Sequence, residues 1–185
     1  MGEPGTKDML SLQELEASVN GRSGRKHIVS ILVENKPGVL TRISGLFARR
    51  GFNIDTLVVG PTDDERFSRI TLTLDGAMHS IDQVTKQLHK LINVLKIRDL
   101  EPADTVAREL AMFKLAADGA ARAEILQIAD IFRGRVIDVT RRSVIVEIAG
   151  TADKIAAFER MVRPFGLVEM ARTGEIAISR GRGET

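Results

Sequence analysis

The residue types best suited to chemistry sit in one stretch, residues 28–60, IVSILVENKPGVLTRISGLFARRGFNIDTLVVG. Asn35 and Gly38 precede an amphipathic run there, and Asn53 and Ile54 follow it. An Asn amide can accept a hydrogen bond from an ammonium and donate one to a carboxylate. Gly38 has no side chain, so the backbone around it can approach a bound group closely. If a helix starts at this point, the N–H groups of Gly38, Val39 and Leu40 are unpaired at the positive end of the helix dipole, which suits an anion. An aliphatic group could then rest on Leu40, Ile54 or Leu57. The chemistry on offer is capture of something small and polar, with no nucleophile or general base in view. Taken singly, Asn35 and Asn53 read more simply as a cap and a turn residue.

These residues need a frame of strand, turn, helix, turn and strand. Residues 28–33 form a β-branched apolar run, which suits a buried strand. Asn35, Pro37 and Gly38 break it. Leu40, Ile43, Leu46 and Phe47 follow at helical spacing, Gly51 stops the helix, and Asn53 opens a second strand. Beyond a turn-rich loop at residues 61–66, Ile70, Leu72 and Leu74 alternate inward with Arg69, Thr71 and Thr73 outward. A second helix is expected over residues 80–92, capped by Ser80 and striped by Ile81, Val84, Leu88 and Leu91. A fourth strand, residues 94–100, sets Leu95 and Ile97 on one face and Lys96 and Arg98 on the other. The order βαββαβ is that of ferredoxin-like folds, with helices on one face of an antiparallel sheet. The other face carries enough apolar side chains to want cover too.

Glu101 to Asp104 marks a boundary, and the same order recurs beyond it. A strand alternates Leu110, Met112 and Lys114 with Ala111, Phe113 and Leu115. A helix over residues 119–132 carries Ile125, Ile128 and Phe132, and Gly134 ends it. Two strands follow, joined by an Arg141-Arg142 turn. Thr151 caps a last helix bearing Ile155, Phe158, Met161 and Val162, which Pro164 and Gly166 terminate. Residues 168–178 close the set as one bent strand or two short ones. The fold class is therefore α+β, two tandem ferredoxin-like βαββαβ modules. The expected divisions are a flexible tail at residues 1–25, a first module at 26–102, a second at 103–181, and a tail at 182–185.

Composition removes whole classes of function. The absence of Cys excludes disulfides, thiol catalysis and thiolate-ligated metal, and fits a reducing cytoplasm. Twenty-seven basic residues face 25 acidic ones, a balance that argues against a nucleic-acid partner. A ferredoxin-like sheet that reads RNA also needs exposed aromatics for stacking, and this chain has no Trp or Tyr. His27, His79 and His89 are scattered without acidic neighbours at ligand spacing, so no metal site is expected. No apolar run is long enough to span a bilayer, and residues 1–25 lack the apolar core of a signal peptide. No phosphate-binding loop or nucleophile elbow is present.

The turn Glu34-Asn35-Lys36-Pro37-Gly38-Val39-Leu40, with Gly51-Phe52-Asn53-Ile54 after it, resembles an ACT domain, a small-molecule sensing module of amino-acid metabolism. Further blocks extend the likeness: Pro61-Thr62-Asp63-Asp64 with Ser68-Arg69, Lys86 to Leu91, Ile131 to Val139, and Ala171-Arg172-Thr173-Gly174 with Ser179-Arg180-Gly181. Together they resemble the small, regulatory subunits of acetohydroxyacid synthase (acetolactate synthase) over residues 26–181. The resemblance implies a subunit that is not itself an enzyme. It would form a homodimer, activate a large catalytic subunit in branched-chain amino-acid biosynthesis, and confer feedback inhibition by valine. It implies no cofactor on this chain, with thiamine diphosphate, Mg and FAD on the catalytic partner. The family's effector site maps onto Asn35, Gly38 and Asn53, with Val39, Leu40 and Ile54 beside them. A free-standing amino-acid sensor acting on another enzyme or regulator is the alternative.

Overall fold

The alternation of apolar side chains becomes two sheets, each with its own helix-covered core. The structure is a computed structural model and describes residues 26–75 and 81–185. The tail expected at residues 1–25, His79 and the Ser80 cap lie outside the described residues.

The first module runs β1 (Lys26–Glu34), α1 (Val39–Arg50), β2 (Ile54–Pro61), β3 (Phe67–Asp75), α2 (Ile81–Leu88) and β4 (Val94–Leu100). Its sheet is antiparallel in the order β2-β3-β1-β4, as the βαββαβ reading requires. Val29, Ile31 and Val33 of β1 and Ile70, Leu72 and Leu74 of β3 project onto one face. There they meet Val39, Ile43, Leu46 and Phe47 of α1 and Val84 and Leu88 of α2. Burial of each such side chain contributes about 1.5–3 kcal/mol, so this face decides the register.

After a short 3-10 turn at Pro102–Asp104 come β5 (Thr105–Ala116), α3 (Gly119–Ile131), β6 (Arg135–Val139), β7 (Ser143–Gly150), α4 (Ala152–Val162), β8 (Leu167–Arg172) and β9 (Ile176–Ser179). The order β6-β7-β5-β8 repeats that of the first sheet. Phe113 and Phe132 both meet Phe158 edge to face, at 5.0 and 5.4 Å between centroids, in the second core. Asp118 and Thr151 cap α3 and α4 through bonds from the N–H groups of Ala121 and Lys154. β8 and β9 follow one another along a single edge of β5, so the closing element is two short strands.

Several local expectations need correction. In β4 a bulge opposite Leu32 and Val33 turns Val94 and Ile97 together toward the core and leaves Leu95 49% exposed. Helix α2 ends at Leu88, four residues short of the expected 92, and Met161 on α4 is exposed. At the end of α3 the left-handed residue is Arg133, with φ 51°. Gly134 serves a different need, because a Cβ there would lie 2.4 Å from the Ile148 side chain.

The other face of the first sheet, expected to want cover, receives it. Thr71 and Thr73 do leave the helix-covered core, yet each is only 3% exposed, and Ser30 is 2% exposed. The second module covers them, with β9 lying against β1 and β4. Residues 182–185, expected as a tail, also fold onto this face. Arg69 Nη1 donates to the Thr185 carbonyl at 3.0 Å and Lys96 Nζ to the Glu184 carbonyl at 3.0 Å.

Candidate functional site

The turn between β1 and α1 builds the first half of the site. Pro37 and Gly38 form the turn, and Gly38, not Pro37, stands at the helix N-cap. Its φ of 84° is left-handed, which glycine adopts without strain. A Cβ at Gly38 would meet no atom within 4 Å, so the space over the helix start is open. Arg42 N–H makes the first helical bond, to the Gly38 carbonyl at 3.0 Å, and Val39 N–H reaches Lys36 O only at 3.4 Å. The N–H groups of Gly38, Leu40 and Thr41 have no partner among the described residues. Val39 turns its side chain into the core at 6% exposure, whereas Leu40, expected in the core stripe, is 43% exposed beside the free amides. Unpaired donors next to an exposed aliphatic surface can hold an anion that carries an apolar group.

Asn35 is fixed from the other side by the β2–β3 loop. Its N–H donates to Arg66 O at 2.7 Å and its Nδ2 to Glu65 O at 3.0 Å. Its Oδ1 has no partner among the described residues and is left to accept. Arg66 in turn bonds Asp64 through both backbone and guanidinium, which holds the Asp64 carboxyl down to about 2. Glu34 sits behind the turn. Asn93 Nδ2 and Lys36 Nζ both donate to its carboxylate and keep it below the usual range. Arg42 Nη1 closes this network on Asn93 Oδ1 at 3.3 Å. Asn93 escaped the sequence reading, since nothing in Ile92-Asn93-Val94 marks it beyond a turn.

Asn53 and Ile54 lie elsewhere. Asn53 is exposed, with Nδ2 a long 3.5 Å from Asp55 Oδ1, and Ile54 packs at the margin of the first core. Ile54 pairs with Leu74 at one end of the sheet, and Asn35 hangs from Arg66 at the other. The twelve residues of α1 separate them, a length of about 18 Å. One chain therefore brings Asn35, Gly38, Val39 and Leu40 together but leaves Asn53 and Ile54 apart from them. β2 is an edge strand, so its outer side is open to another chain.

A second polar cluster lines a cleft between the modules, with one ion pair contributed from within each. Arg172 donates to both oxygens of Glu109, at 2.6 and 2.7 Å, and the Glu109 side chain is 2% exposed. This pair explains the Arg172 of the Ala171-Arg172-Thr173-Gly174 block. Lys26 pairs with Asp55 in the same cleft. Among the described residues no three His, Asp or Glu gather as a metal site, and no helix is long and apolar enough to cross a membrane.

Comparison with known proteins covers both modules. The family described as "AHAS small subunit-like ACT domain" matches residues 29–96, and "Small subunit of acetolactate synthase" matches residues 108–181. The probable acetolactate synthase small subunit of Methanothermobacter thermautotrophicus is 51% identical over 156 residues, 84% of this chain and 93% of that protein. The chain belongs to the acetolactate synthase small-subunit family. The small subunit of Mycolicibacterium smegmatis is 45% identical over 155 residues, 84% of this chain and 91% of its own length. The crystal structure of the Thermotoga maritima small subunit superposes with a TM-score of 0.79 at 40% identity, covering 86% of this chain and 99% of that one. The family thus accounts for the two-module architecture, in which the first module is an ACT domain.

Proposed function

We propose that this small subunit regulates acetolactate synthase by binding valine between the first modules of two copies. It activates the catalytic subunit and makes that subunit sensitive to its pathway's end product. One observation carries the reading: the free N–H groups of Gly38, Leu40 and Thr41 stand beside the open Oδ1 of Asn35 and the exposed Leu40. The amides suit a carboxylate, Asn35 Oδ1 suits an ammonium, and Leu40 suits a branched aliphatic group. That is half of a valine site.

A second copy supplies the other half. If β2 pairs antiparallel with its own counterpart across a two-fold axis, the Ile54 end of one strand meets the Pro61 end of the other. Pro61 pairs with Ser68, which pairs with Val33, so the Pro61 end is also the Asn35 end. Asn53 and Ile54 of one copy then approach Asn35 and Gly38 of the other, and two equivalent sites result. The first modules would thereby form the homodimer. Thiamine diphosphate, Mg and FAD remain with the catalytic partner, where carbon–carbon bond formation takes place; no residue described on this chain takes part in that chemistry. The second module, which has no comparable turn, contributes to subunit contact and stability. Acetolactate formation by the catalytic subunit, with and without this chain and across a valine titration, tests the reading. Activation that valine reverses is expected. Equal rates with and without the chain would refute it.

A further inference from the structure

A cavity of about 340 Å³ lies at the joint between the modules, on the face of the first sheet opposite its helices. Its walls come from Val58, Gly60 and Pro61 of β2, Arg69 and Thr71 of β3, Val106 and Arg108 of β5, and Ile176 to Ile178 of β9. This volume stands near the small end of the roughly 300–1,000 Å³ typical of ligand pockets. The lining is of two kinds. Val58, Pro61, Val106, Ile176 and Ile178 are apolar, and Ile176 and Ile178 remain 60% and 58% exposed with nothing packed over them. Two arginines supply the charge.

Both guanidiniums are only partly used. Arg69 spends Nη1 on Ser30 Oγ at 2.9 Å and on the Thr185 carbonyl at 3.0 Å. Arg108 spends Nη1 on its neighbour's carbonyl, Ala107 O, at 2.7 Å. The Nε and Nη2 groups of each, the edge that grips a carboxylate with two parallel bonds, have no partner among the described residues. Neither arginine pairs with a described Asp or Glu side chain, in contrast to Arg172 on Glu109 and Arg66 on Asp64. No described Asp or Glu lines the cavity.

We infer that this cavity binds a short branched aliphatic carboxylate lacking an ammonium. The arginine edges take the carboxylate, and the Val58, Val106, Ile176 and Ile178 walls take the aliphatic body. An amino acid is disfavoured, because its ammonium would sit beside two guanidiniums with no described Asp or Glu in the lining to balance it. The selectivity is the opposite of that proposed for the Asn35 turn, and it rests on different residues. The occupied cavity would bridge β2 and β3 of one module to β5 and β9 of the other.

Three probes of matched shape separate the contributions: 3-methylbutanoate, its amide 3-methylbutanamide, and valine, each titrated calorimetrically into the full chain. The carboxylate is expected to bind saturably and the amide not to bind. R108Q, at an exposed position, and R69Q are each expected to weaken carboxylate binding at least tenfold, and G38D to leave it unchanged. R108Q should melt at the wild-type temperature, so its loss of binding cannot be ascribed to unfolding. Absence of saturable carboxylate binding, or equal binding by R108Q and R69Q, would overturn the assignment. So would inorganic phosphate binding as tightly as 3-methylbutanoate, since the apolar walls would then add nothing.

Discussion

At the scale of single residues, Gly38 is where a substitution speaks most clearly. An aspartate there would place its carboxylate over the free amides of Leu40 and Thr41 and repel an incoming carboxylate. The left-handed φ of 84° adds about 1–2 kcal/mol of strain for any side chain, so Gly38→Ala is the proper control. Valine inhibition is expected to vanish in Gly38→Asp and to persist, weakened, in Gly38→Ala, with activation spared in both. Allosteric couplings amount to about 1–3 kcal/mol, so loss of effector binding removes the whole response. Valine titrations of the reconstituted enzyme check this. Arg172→Ala is a structural counterpart. It strands the buried Glu109 carboxylate without its partner and should lower stability by roughly 3 kcal/mol, measurable by urea unfolding. Glu175 gives a pH signature. Burial, reinforced by the negative charge of Glu109, raises its carboxyl above the ordinary 4.5. A raised acid favours the folded state below its unfolded value and weakens it as pH rises through the folded value. Glu175→Gln should therefore be more stable than the parent at pH 7, with the difference closing toward pH 4 in parallel thermal melts.

At the scale of elements, each module closes its own core, which permits a sharper division of labour. Residues 26–102 alone are expected to fold, dimerise and bind valine, because the helix-covered core draws nothing from beyond Leu100. What the truncated chain newly exposes is the face of Ser30, Thr71 and Thr73, whose hydroxyls take up water, together with apolar neighbours such as Ile28 and Val58. Maximal activation of the catalytic subunit should fall. Loss of valine binding by a folded, dimeric truncation, followed by circular dichroism and calorimetry, would contradict this division. The same elements show what could be read from the chain in advance. Alternation at Ile70, Leu72 and Leu74 and helical spacing at Ile43, Leu46 and Phe47 follow from burial on one face, which is a local property. Thr71 and Thr73 do face away from the helices, but local alternation could not show that they are buried, because their cover comes from the second module. Leu95 failed because a bulge is a matter of register between strands. Gly134 looked like a helix stop, and only the packed Ile148 shows why glycine is needed there.

At the scale of the whole molecule, the site is legible as a set of residue types but not as a place. Asn35, Gly38 and Asn53 are identified by type and resemblance, the helix that parts Asn53 from the other two needs the topology, and the proposed site would reunite them only across a second copy. The central claim is that each valine site takes Asn35 from one chain and Asn53 from the other. Mixing chains tests it directly. Asn35→Ala and Asn53→Ala chains are each expected to bind no valine as homodimers. When they are unfolded together, refolded at equal concentration and titrated with valine by calorimetry, half of the dimers should be mixed, each with one site intact. Binding should then return to about one quarter of the wild-type sites, at wild-type affinity. A mixture of folded dimers that binds no more valine than the separate variants would show that the two asparagines do not meet across the dimer.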